Sequence, residues 1–286
     1  MSDIRTWGQA MDYTFKTRHS WRHGNGAPTA RINCNHFTEL RGRSYPVTRI
    51  TPATMSEVCI ELEDMGKSDA TINRVVSAVS TVLNHCAFDG LISKAPSFRR
   101  RKENECRKTF FTKEEVDRLY FGAIDPFERE ELAEIILVGA YTGMRQGELF
   151  KLNVRDIDLG LNVIHVGGRP DVTTKAGNYR TIPIHDRIAS VLSRRIDGIH
   201  GNVKVFGDEW RDKDQLLRQF KKVRNLIGKG DEYVFHSLRH SFGTWCAEAG
   251  VPLLTIKDLM GHKRIETTML YSKVTDHART SAIDLL

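Results

Sequence analysis

The spacing of apolar residues predicts that residues 1–96 are helical. Four helices are predicted, at residues 6–19, 29–40, 51–63 and 68–90. Thr51-Pro52 is typical of a helix start, because threonine caps a first turn and proline fits the first helical position. The last helix has the longest apolar stripe, formed by Ile72, Val75, Val76, Val79, Val82 and Leu83. Gly90 and Pro96 end this four-helix unit.

The pattern changes after residue 109, where helices enclose a short stretch of strands. Thr112 with Glu115 three residues later predicts a capped helix start. Further helices are predicted at residues 127–141, 145–152, 186–196, 213–227, 236–249, 252–260, 266–271 and 276–285. Strands are predicted at residues 154–159, 162–166 and 180–184, since Gly160 turns the first pair and glycines at 167, 168 and 177 loosen the second connection. The second region is therefore mostly helical with a small antiparallel sheet.

A basic segment without apolar periodicity separates the two regions. It covers residues 97–108 and contains Arg99, Arg100, Arg101, Lys102, Arg107 and Lys108. We interpret it as an exposed linker between a domain of residues 1–96 and a domain of residues 109–286. Two interpretations of its charge stay open: a solvated tether, or a strap that lies against a phosphate backbone.

Composition places the chain among globular proteins with a weakly basic first part. Its 286 residues suggest two domains, at roughly 100–200 residues per domain. Residues 1–108 contain 17 Lys and Arg against 11 Asp and Glu, so they carry +6 of the formal net charge of +7. A basic domain attracts polyanions, although many such domains bind no nucleic acid. No apolar run approaches a membrane span and no export signal is visible, so we expect a cytoplasmic protein without a membrane partner.

Cysteine and histidine usage gives no support for a disulfide framework or a metal site. The five cysteines are odd in number and form no C-x-x-C pair. His236 and His240 have the spacing of a helical zinc pair, but Arg239 lies between them, and a cation there disfavours a metal. No phosphate-binding loop or cluster of carboxylates is present. We therefore expect chemistry by side chains alone, with no cofactor and no metal.

Five segments of the second domain concentrate chemically active residues. They are YTGMRQGEL, TTKAGNYRTIPI, HSLRH, MGH and MLY, which contain Arg145, Glu148, Lys175, His236, Arg239, His262 and Tyr271. In this order and spacing they resemble the tyrosine recombinase (phage integrase) family over the whole second domain. Residues 68–92 are similar to the last helices of that family's core-binding domain. Since the first helix begins near residue 6, the resemblance is to a two-domain member without an arm-binding domain.

The resemblance implies a mainly α fold. The first domain would be a four-helix, SAM-like core-binding domain. The second would have the DNA breaking-rejoining fold, with a small three-stranded antiparallel sheet. The implied activity is DNA strand cleavage and rejoining through a covalent 3′-phosphotyrosine, independent of metal and ATP, in the integration or excision of a phage or mobile-element genome.

The residue types suit this chemistry. A phosphodiester gains negative charge on its non-bridging oxygens in the transition state, and guanidiniums bind such oxygens through charged, bidentate hydrogen bonds. The resemblance implies that Arg145 and Arg239 do so. Glu148, three residues after Arg145 on the same helical face, would hold a neighbouring side chain in place.

The remaining roles follow from the same resemblance. Tyr271 would be the nucleophile, and because a phenol has a pKa near 10, a group must accept its proton. His236 would be that acceptor, Lys175 the general acid for the 5′-oxygen, and His262 a hydrogen-bond donor to the phosphate. His240 is expected to be structural. Taken singly, each residue also fits a structural role, such as core packing for Tyr271.

The family resemblance also implies partners. We expect double-stranded DNA attachment sites, a homotetramer on DNA that is a monomer when free, and an accessory DNA-bending or directionality protein. The location would be a bacterial host cytoplasm, with nucleoid association when bound. Two alternatives stay open: a type IB topoisomerase-like enzyme, which shares phosphotyrosine chemistry, and a non-catalytic DNA-binding relative.

Overall fold

The computed structural model describes residues 4–24, 26–103, 109–167, 179–207, 210 and 213–274. The chain divides into two compact units, Met1–Cys106 and Arg107–Leu286. In the part of the chain that the structure describes, no helix is both long enough and apolar enough to cross a membrane.

The first unit is a group of helices built around its longest member. The helices are α1 (Trp7–Thr17), α2 (His19–Arg22), α3 (Ala27–Arg41), α4 (Pro52–Asp64) and α5 (Asp69–Phe88). The predicted apolar stripe of α5 is buried and packs against α1, α3 and α4. The one-turn helix α2 was not predicted; Arg18 is extended (ψ 110°), so α1 ends and a new turn begins at His19.

Side-chain caps begin two of these helices where the sequence predicted them. The Thr51 side chain accepts a hydrogen bond from the backbone N–H of Thr54, and Ser68 accepts one from Thr71. Such a bond satisfies a backbone donor that has no partner within the first turn. The starts of α4 and α5 were therefore determined locally.

The first half of the predicted linker packs against the first unit. Asn73 donates to the carbonyl of Arg101 and accepts from its backbone N–H, both at 2.9 Å. The Arg101 guanidinium, with its side chain 25% exposed, pairs with Glu63 at 2.9 Å and Asp69 at 3.2 Å. Arg101 is thus not the exposed cation that the sequence suggested, because two acidic residues of α4 and α5 bind it. Arg99, Arg100 and Lys102 are exposed, and Arg107 and Lys108 lie outside the described residues.

The second unit is mostly helical and contains a small antiparallel sheet, as predicted. The helices are α6 (Lys113–Ile124), α7 (Glu130–Thr142), α8 (Gln146–Leu149), α9 (Asp186–Ile196), α10 (Lys213–Leu226), α11 (Ser237–Glu248) and α12 (Leu253–Met260). The strands are β1 (Ile157–Asp158), β2 (Val163–Val166) and β3 (Arg180–Pro183). They form one antiparallel sheet in the order β1-β2-β3, in which Ile164 pairs with Ile157 on one side and Ile182 on the other.

Several predicted elements of this unit differ from the structure. The helix predicted at residues 127–141 begins at Glu130, and the helix predicted at residues 145–152 ends at Leu149. The first strand begins three residues late, because Asn153 and Asp156 cap each other and fold residues 154–156 into a 3₁₀ turn. Residues 266–271 are not an α-helix but belong to two 3₁₀ turns, Ile265–Thr267 and Met269–Val274. The helix predicted at residues 276–285 lies outside the described residues.

Helix α7 is the centre of the second core. Its residues are buried on every face from Glu131 to Thr142, and α6, α9, α10 and α11 pack around it. The buried carboxylate of Glu134 is paired with Arg194 and Arg195 of α9, as a buried charge requires. Helix α7 ends three residues before Arg145, so its packing in the core fixes the position of the Arg145 backbone.

The contacts of Asn73 generate a prediction about residues 97–103. We expect Asn73→Ala to release this segment, since it loses both hydrogen bonds to Arg101 at a cost of about 1–3 kcal/mol. Trypsin should then cleave after Arg99, Arg100 or Lys102 roughly ten-fold faster than in the wild type, as followed by mass spectrometry.

The matched control is Asn84→Ala on the same helix, because Asn84 is exposed and bonds to Ser80 of its own helix. Equal cleavage rates for Asn73→Ala, Asn84→Ala and wild type would show that Asn73 does not fasten the segment.

Candidate active site

Three guanidiniums converge on three consecutive carbonyls at the C-terminal end of α12. The hydrogen bonds are Arg180 Nε to Leu259 O (2.7 Å), Arg239 Nη2 to Met260 O (2.5 Å) and Arg145 Nη2 to Gly261 O (3.0 Å). The last carbonyls of a helix have no partner within it and carry partial negative charge, so they bind cations. We call these three carbonyls the carbonyl triplet. It gathers side chains from β3, α11 and the residue before α8.

A single carboxylate joins two of these cations. Glu148 Oε1 accepts from Arg145 Nη1 at 3.0 Å and from Arg180 Nη1 at 3.1 Å. Its Oε2 accepts from the backbone N–H of Arg145 at 2.7 Å and from Arg180 Nη2 at 2.8 Å. Burial by itself would raise the pKa of Glu148, but the hydrogen bonds from Arg180 and the Arg145 backbone lower that pKa to about 2. The carboxylate is therefore ionised at neutral pH.

The close approach of Arg180 to the triplet requires a glycine. Gly261 caps α12 with a left-handed backbone (φ 64°). A Cβ added there would lie 2.7 Å from Arg180 Nη1. Glycine thus serves both needs at once, since it adopts the left-handed conformation without strain and leaves space for the guanidinium.

The cluster has an excess of buried positive charge. Arg180 is 8% exposed and Arg239 is 3% exposed, and Glu148 is the one acidic side chain hydrogen-bonded to this group among the described residues. Burial, together with the charge of Arg145, lowers the pKa of Arg239 to about 10. Three guanidiniums facing one carboxylate form a site that is complementary to an anion.

His262 follows the triplet directly and is held beside the cations. Its Nδ1 lies 2.8 Å from the hydroxyl of Thr268. Burial and the charges of Arg239, Arg145 and Arg180 lower the pKa of His262 to about 4. The imidazole is consequently neutral at pH 7 in the free protein.

Tyr271 lies against α11 within a small apolar cluster. Its side chain is 4% exposed and packs with Ala247, Ile256 and Met260. Its ring covers Gly243 so closely that an added Cβ would lie 2.4 Å from the ring carbon Cζ. Burial raises the pKa of Tyr271 to about 12, although the nearby charge of Arg239 opposes this. The phenol therefore keeps its proton at neutral pH.

A histidine of α11, His240, contacts the phenol. The Tyr271 hydroxyl lies 3.0 Å from His240 Nδ1. His236 is an exposed residue at the start of α11, and its ring centroid lies 5.0 Å from that of His240 in a perpendicular arrangement. The sequence analysis assigned His240 a structural role. Its position one residue after Arg239 was the available signal that it would lie near the same site.

Arg180 was missed by the sequence analysis. Its signal is the alternation in β3, where Arg180 shares the buried face of the sheet with Ile182 and Ile184. A charged residue at an inward strand position needs an internal partner, so this alternation marks Arg180 as part of a buried ionic group.

The structure brings Arg145, Glu148, Arg239 and His262 together, with Tyr271 beside Arg239. Lys175 lies outside the described residues. No group of three or more His, Cys, Asp or Glu side chains suited to a metal ion occurs among the residues that the structure describes.

Comparison with known proteins identifies the family. The sequence profile of the phage integrase family matches residues 109–278, which is more than half of the chain. The chain belongs to the phage integrase family. Tyrosine recombinase XerA of Thermococcus kodakarensis is 33% identical over 226 residues, 76% of this chain and 76% of that protein. The integrase of Escherichia phage P2 is 27% identical over 245 residues, 83% of this chain and 65% of that protein.

A solved structure extends the likeness to the fold. The Tn1549 transposon integrase in complex with transposon right end DNA has a TM-score of 0.80 at 18% identity and covers 98% of both chains. By its family and its named relatives, this phage integrase family member is a tyrosine site-specific recombinase that acts in DNA recombination.

The surroundings of His262 generate a prediction. In the free protein we expect the pKa of the His262 imidazole to be about 4, because burial and the three guanidiniums disfavour its cationic form. Proton NMR, with the resonance assigned from a His262→Gln sample, measures this. Added orthovanadate, an anion of phosphate shape, should raise the pKa by about one unit or more as it offsets the cationic charge. A titration near the ordinary histidine value of about 6.5, unmoved by vanadate, would contradict the proposed anion site.

Proposed function

We propose that this recombinase cleaves and rejoins DNA through a covalent 3′-phosphotyrosine at Tyr271, and that it integrates or excises a phage or mobile-element genome. The observation that carries the proposal is the excess of buried guanidinium charge at the carbonyl triplet, with a tyrosine beside it. A phosphodiester is the DNA group that such a site attracts.

Arg145 and Arg239 are the proposed phosphate-binding residues. A guanidinium has five N–H donors, and the hydrogen bonds of Arg145 and Arg239 to other described residues engage two side-chain nitrogens of each. Further donors of both groups are available for non-bridging oxygens. Because the protein already holds the two groups in place, they need little reorganisation as negative charge develops in the transition state. His262 is proposed to donate a hydrogen bond to the same phosphate.

The proposed attack by Tyr271 requires its proton to leave. Since burial raises the pKa of Tyr271 to about 12, the phenol does not ionise by itself at pH 7. The contact with His240 holds the hydroxyl in the free protein. His236 is the proposed proton acceptor, so we infer that the hydroxyl leaves His240 when DNA binds. His240 would then stabilise a resting position of the nucleophile.

Lys175 is the proposed general acid for the 5′-oxygen leaving group. Its support is the family motif in the segment between β2 and β3. Each step of the proposed reaction exchanges one phosphodiester for another, so the bond energy is retained in the tyrosine–DNA link. Side chains are proposed to carry this chemistry without ATP, metal or cofactor.

We propose that the substrates are double-stranded DNA attachment sites and that free monomers assemble into a homotetramer on this DNA. A DNA-bending or directionality protein is proposed to assist the reaction, which would take place in a bacterial cytoplasm. The likeness to the integrase of Escherichia phage P2 supports the phage role. The exposed residues Arg99, Arg100 and Lys102 are proposed contacts to the phosphate backbone, together with Arg107 and Lys108. Arg101 would have to exchange Glu63 and Asp69 for a phosphate to make the same contact.

Substitution of the nucleophile gives the first functional prediction. Tyr271→Phe should bind attachment-site DNA with wild-type affinity yet form no covalent product, because it lacks the attacking oxygen. The measurement uses a nicked, labelled suicide substrate taken from DNA that flanks the element, followed by denaturing electrophoresis. A DNA-linked band from Tyr271→Phe would show that another residue is the nucleophile. A supercoil-relaxation assay without paired sites distinguishes recombination from topoisomerase-like activity.

Chemical rescue tests the general acid. Lys175→Ala should cleave an ordinary strand about 10²–10⁴-fold more slowly, since protonation of the leaving oxygen is lost. A bridging 5′-sulfur at the scissile bond should restore the rate, because a thiolate leaves without protonation. Lys151→Ala, at an exposed lysine outside the proposed site, is the control and should behave as wild type on both substrates. Equal defects of Lys175→Ala on the oxygen and sulfur strands would exclude the acid role.

A further inference from the structure

We propose that Arg180 is a positioning residue, which keeps the two proposed phosphate-binding guanidiniums, Arg145 and Arg239, in place by fixing Glu148 and the carbonyl triplet. This inference rests on the proposed function. Arg180 itself is 8% exposed, so it acts through its protein partners rather than by contact with DNA.

Arg180 connects the two groups that hold Arg145. Its Nη1 and Nη2 atoms donate to the two oxygens of Glu148 at 3.1 and 2.8 Å, a bidentate pair. Its Nε donates to Leu259 O at 2.7 Å. One planar group thus links the carboxylate of Glu148 in α8 to the end of α12, and its geometry fixes the separation between them.

Arg145 depends on both ends of this link. Its Nη1 binds Glu148, and its Nη2 binds Gly261 O, two residues after the carbonyl that Arg180 holds. Arg239 depends on one end, since its Nη2 binds Met260 O, the carbonyl between them. A shift of the triplet or of Glu148 would therefore move the proposed phosphate-binding groups directly.

Loss of Arg180 would also redirect Glu148. The carboxylate would lose two charge-assisted hydrogen bonds and keep Arg145 as its remaining cationic hydrogen-bond partner among the described residues. A carboxylate that pairs more fully with Arg145 competes with the phosphate for that guanidinium. We therefore expect Arg180 variants to lose cleavage rate while they retain DNA affinity, because most affinity comes from contacts along the backbone.

Lysine does not replace arginine here. An ammonium is a point charge that cannot donate in a fixed plane to both carboxylate oxygens and a carbonyl on the opposite side. The space beside Gly261 also fits the planar group, with Nη1 only 2.7 Å from the position of an added Cβ. Arg180→Lys keeps the charge and tests the geometry, whereas Arg180→Gln removes the charge.

The experiment measures single-turnover cleavage by the full chain. It uses two suicide substrates, one with an ordinary scissile phosphate and one with a methylphosphonate, in which a methyl group replaces a charged oxygen. On the ordinary strand we expect Arg180→Gln to be roughly 100-fold slower than wild type and Arg180→Lys at least ten-fold slower, with DNA affinity within about three-fold. On the methylphosphonate the defect should shrink to under about ten-fold, because less charge remains for Arg145 and Arg239 to stabilise.

The matched control is Arg224→Gln. Arg224 is 5% exposed and hydrogen-bonds to Asn225, Asp231 and the carbonyl of Tyr233, away from the triplet. Arg224→Gln removes a buried, paired guanidinium, as Arg180→Gln does. The melting temperatures of the two variants therefore show how much stability each substitution costs. Arg224→Gln should show equal relative rates on both substrates. A second comparison is Arg180→Gln combined with Glu148→Gln, which should be no slower than Arg180→Gln alone, since the competing carboxylate is gone.

The outcomes are distinguishable. If wild type forms no covalent product, the proposed function fails whatever Arg180 does. If wild type cleaves and Arg180→Gln shows the same defect on both substrates, or matches Arg224→Gln, Arg180 is structural and the positioning role is overturned. If Arg180→Gln does not fold, Arg180→Lys decides by the same ratio of rates.

Discussion

The structure of the candidate site depends on hydrogen bonds between guanidiniums and the carbonyl triplet. A helix ends with carbonyls that lack partners, and here three successive ones each accept a different arginine. These arginines come from β3, from α11 and from the residue before α8. The end of α12 therefore brings together distant parts of the chain, since Arg145 and Gly261 are 116 residues apart. The sheet matters to the site because β3 delivers Arg180 to this point.

Concentrating cations in a buried place has an electrostatic cost that the site only partly offsets. Glu148 and the carbonyls balance some of the charge, and burial together with the remaining positive charge lowers the pKa values of Arg239 and His262. Buried charges without full compensation are unfavourable unless an external group completes them. That imbalance is the physical basis on which we propose a phosphate as the missing partner.

The free protein holds the proposed nucleophile in a contact of its own. Tyr271 is buried against Gly243 and hydrogen-bonded to His240, and its phenol is harder to ionise than an exposed one. The contacts that bury the phenol and those that hold the guanidiniums are all made within the protein itself. The phenol and the guanidiniums of the site are therefore held by separate hydrogen bonds, to His240 and to the carbonyl triplet.

Local interactions in the sequence determined the starts of α4, α5 and α6, and the motifs supplied the residue types of the site. Thr51, Ser68 and the Thr112–Glu115 pair act within one turn, and the five motifs name Arg145, Arg239, His262 and Tyr271 without reference to the fold. The family itself was evident from those motifs. Tertiary structure decided that His240 contacts the phenol, that Arg180 pairs with Glu148 and the carbonyl of Leu259, and that Asn73 and two carboxylates bind Arg101. Each of these contacts joins residues far apart in the chain, where spacing carries no information about distance, and burial then selects which polar groups must pair.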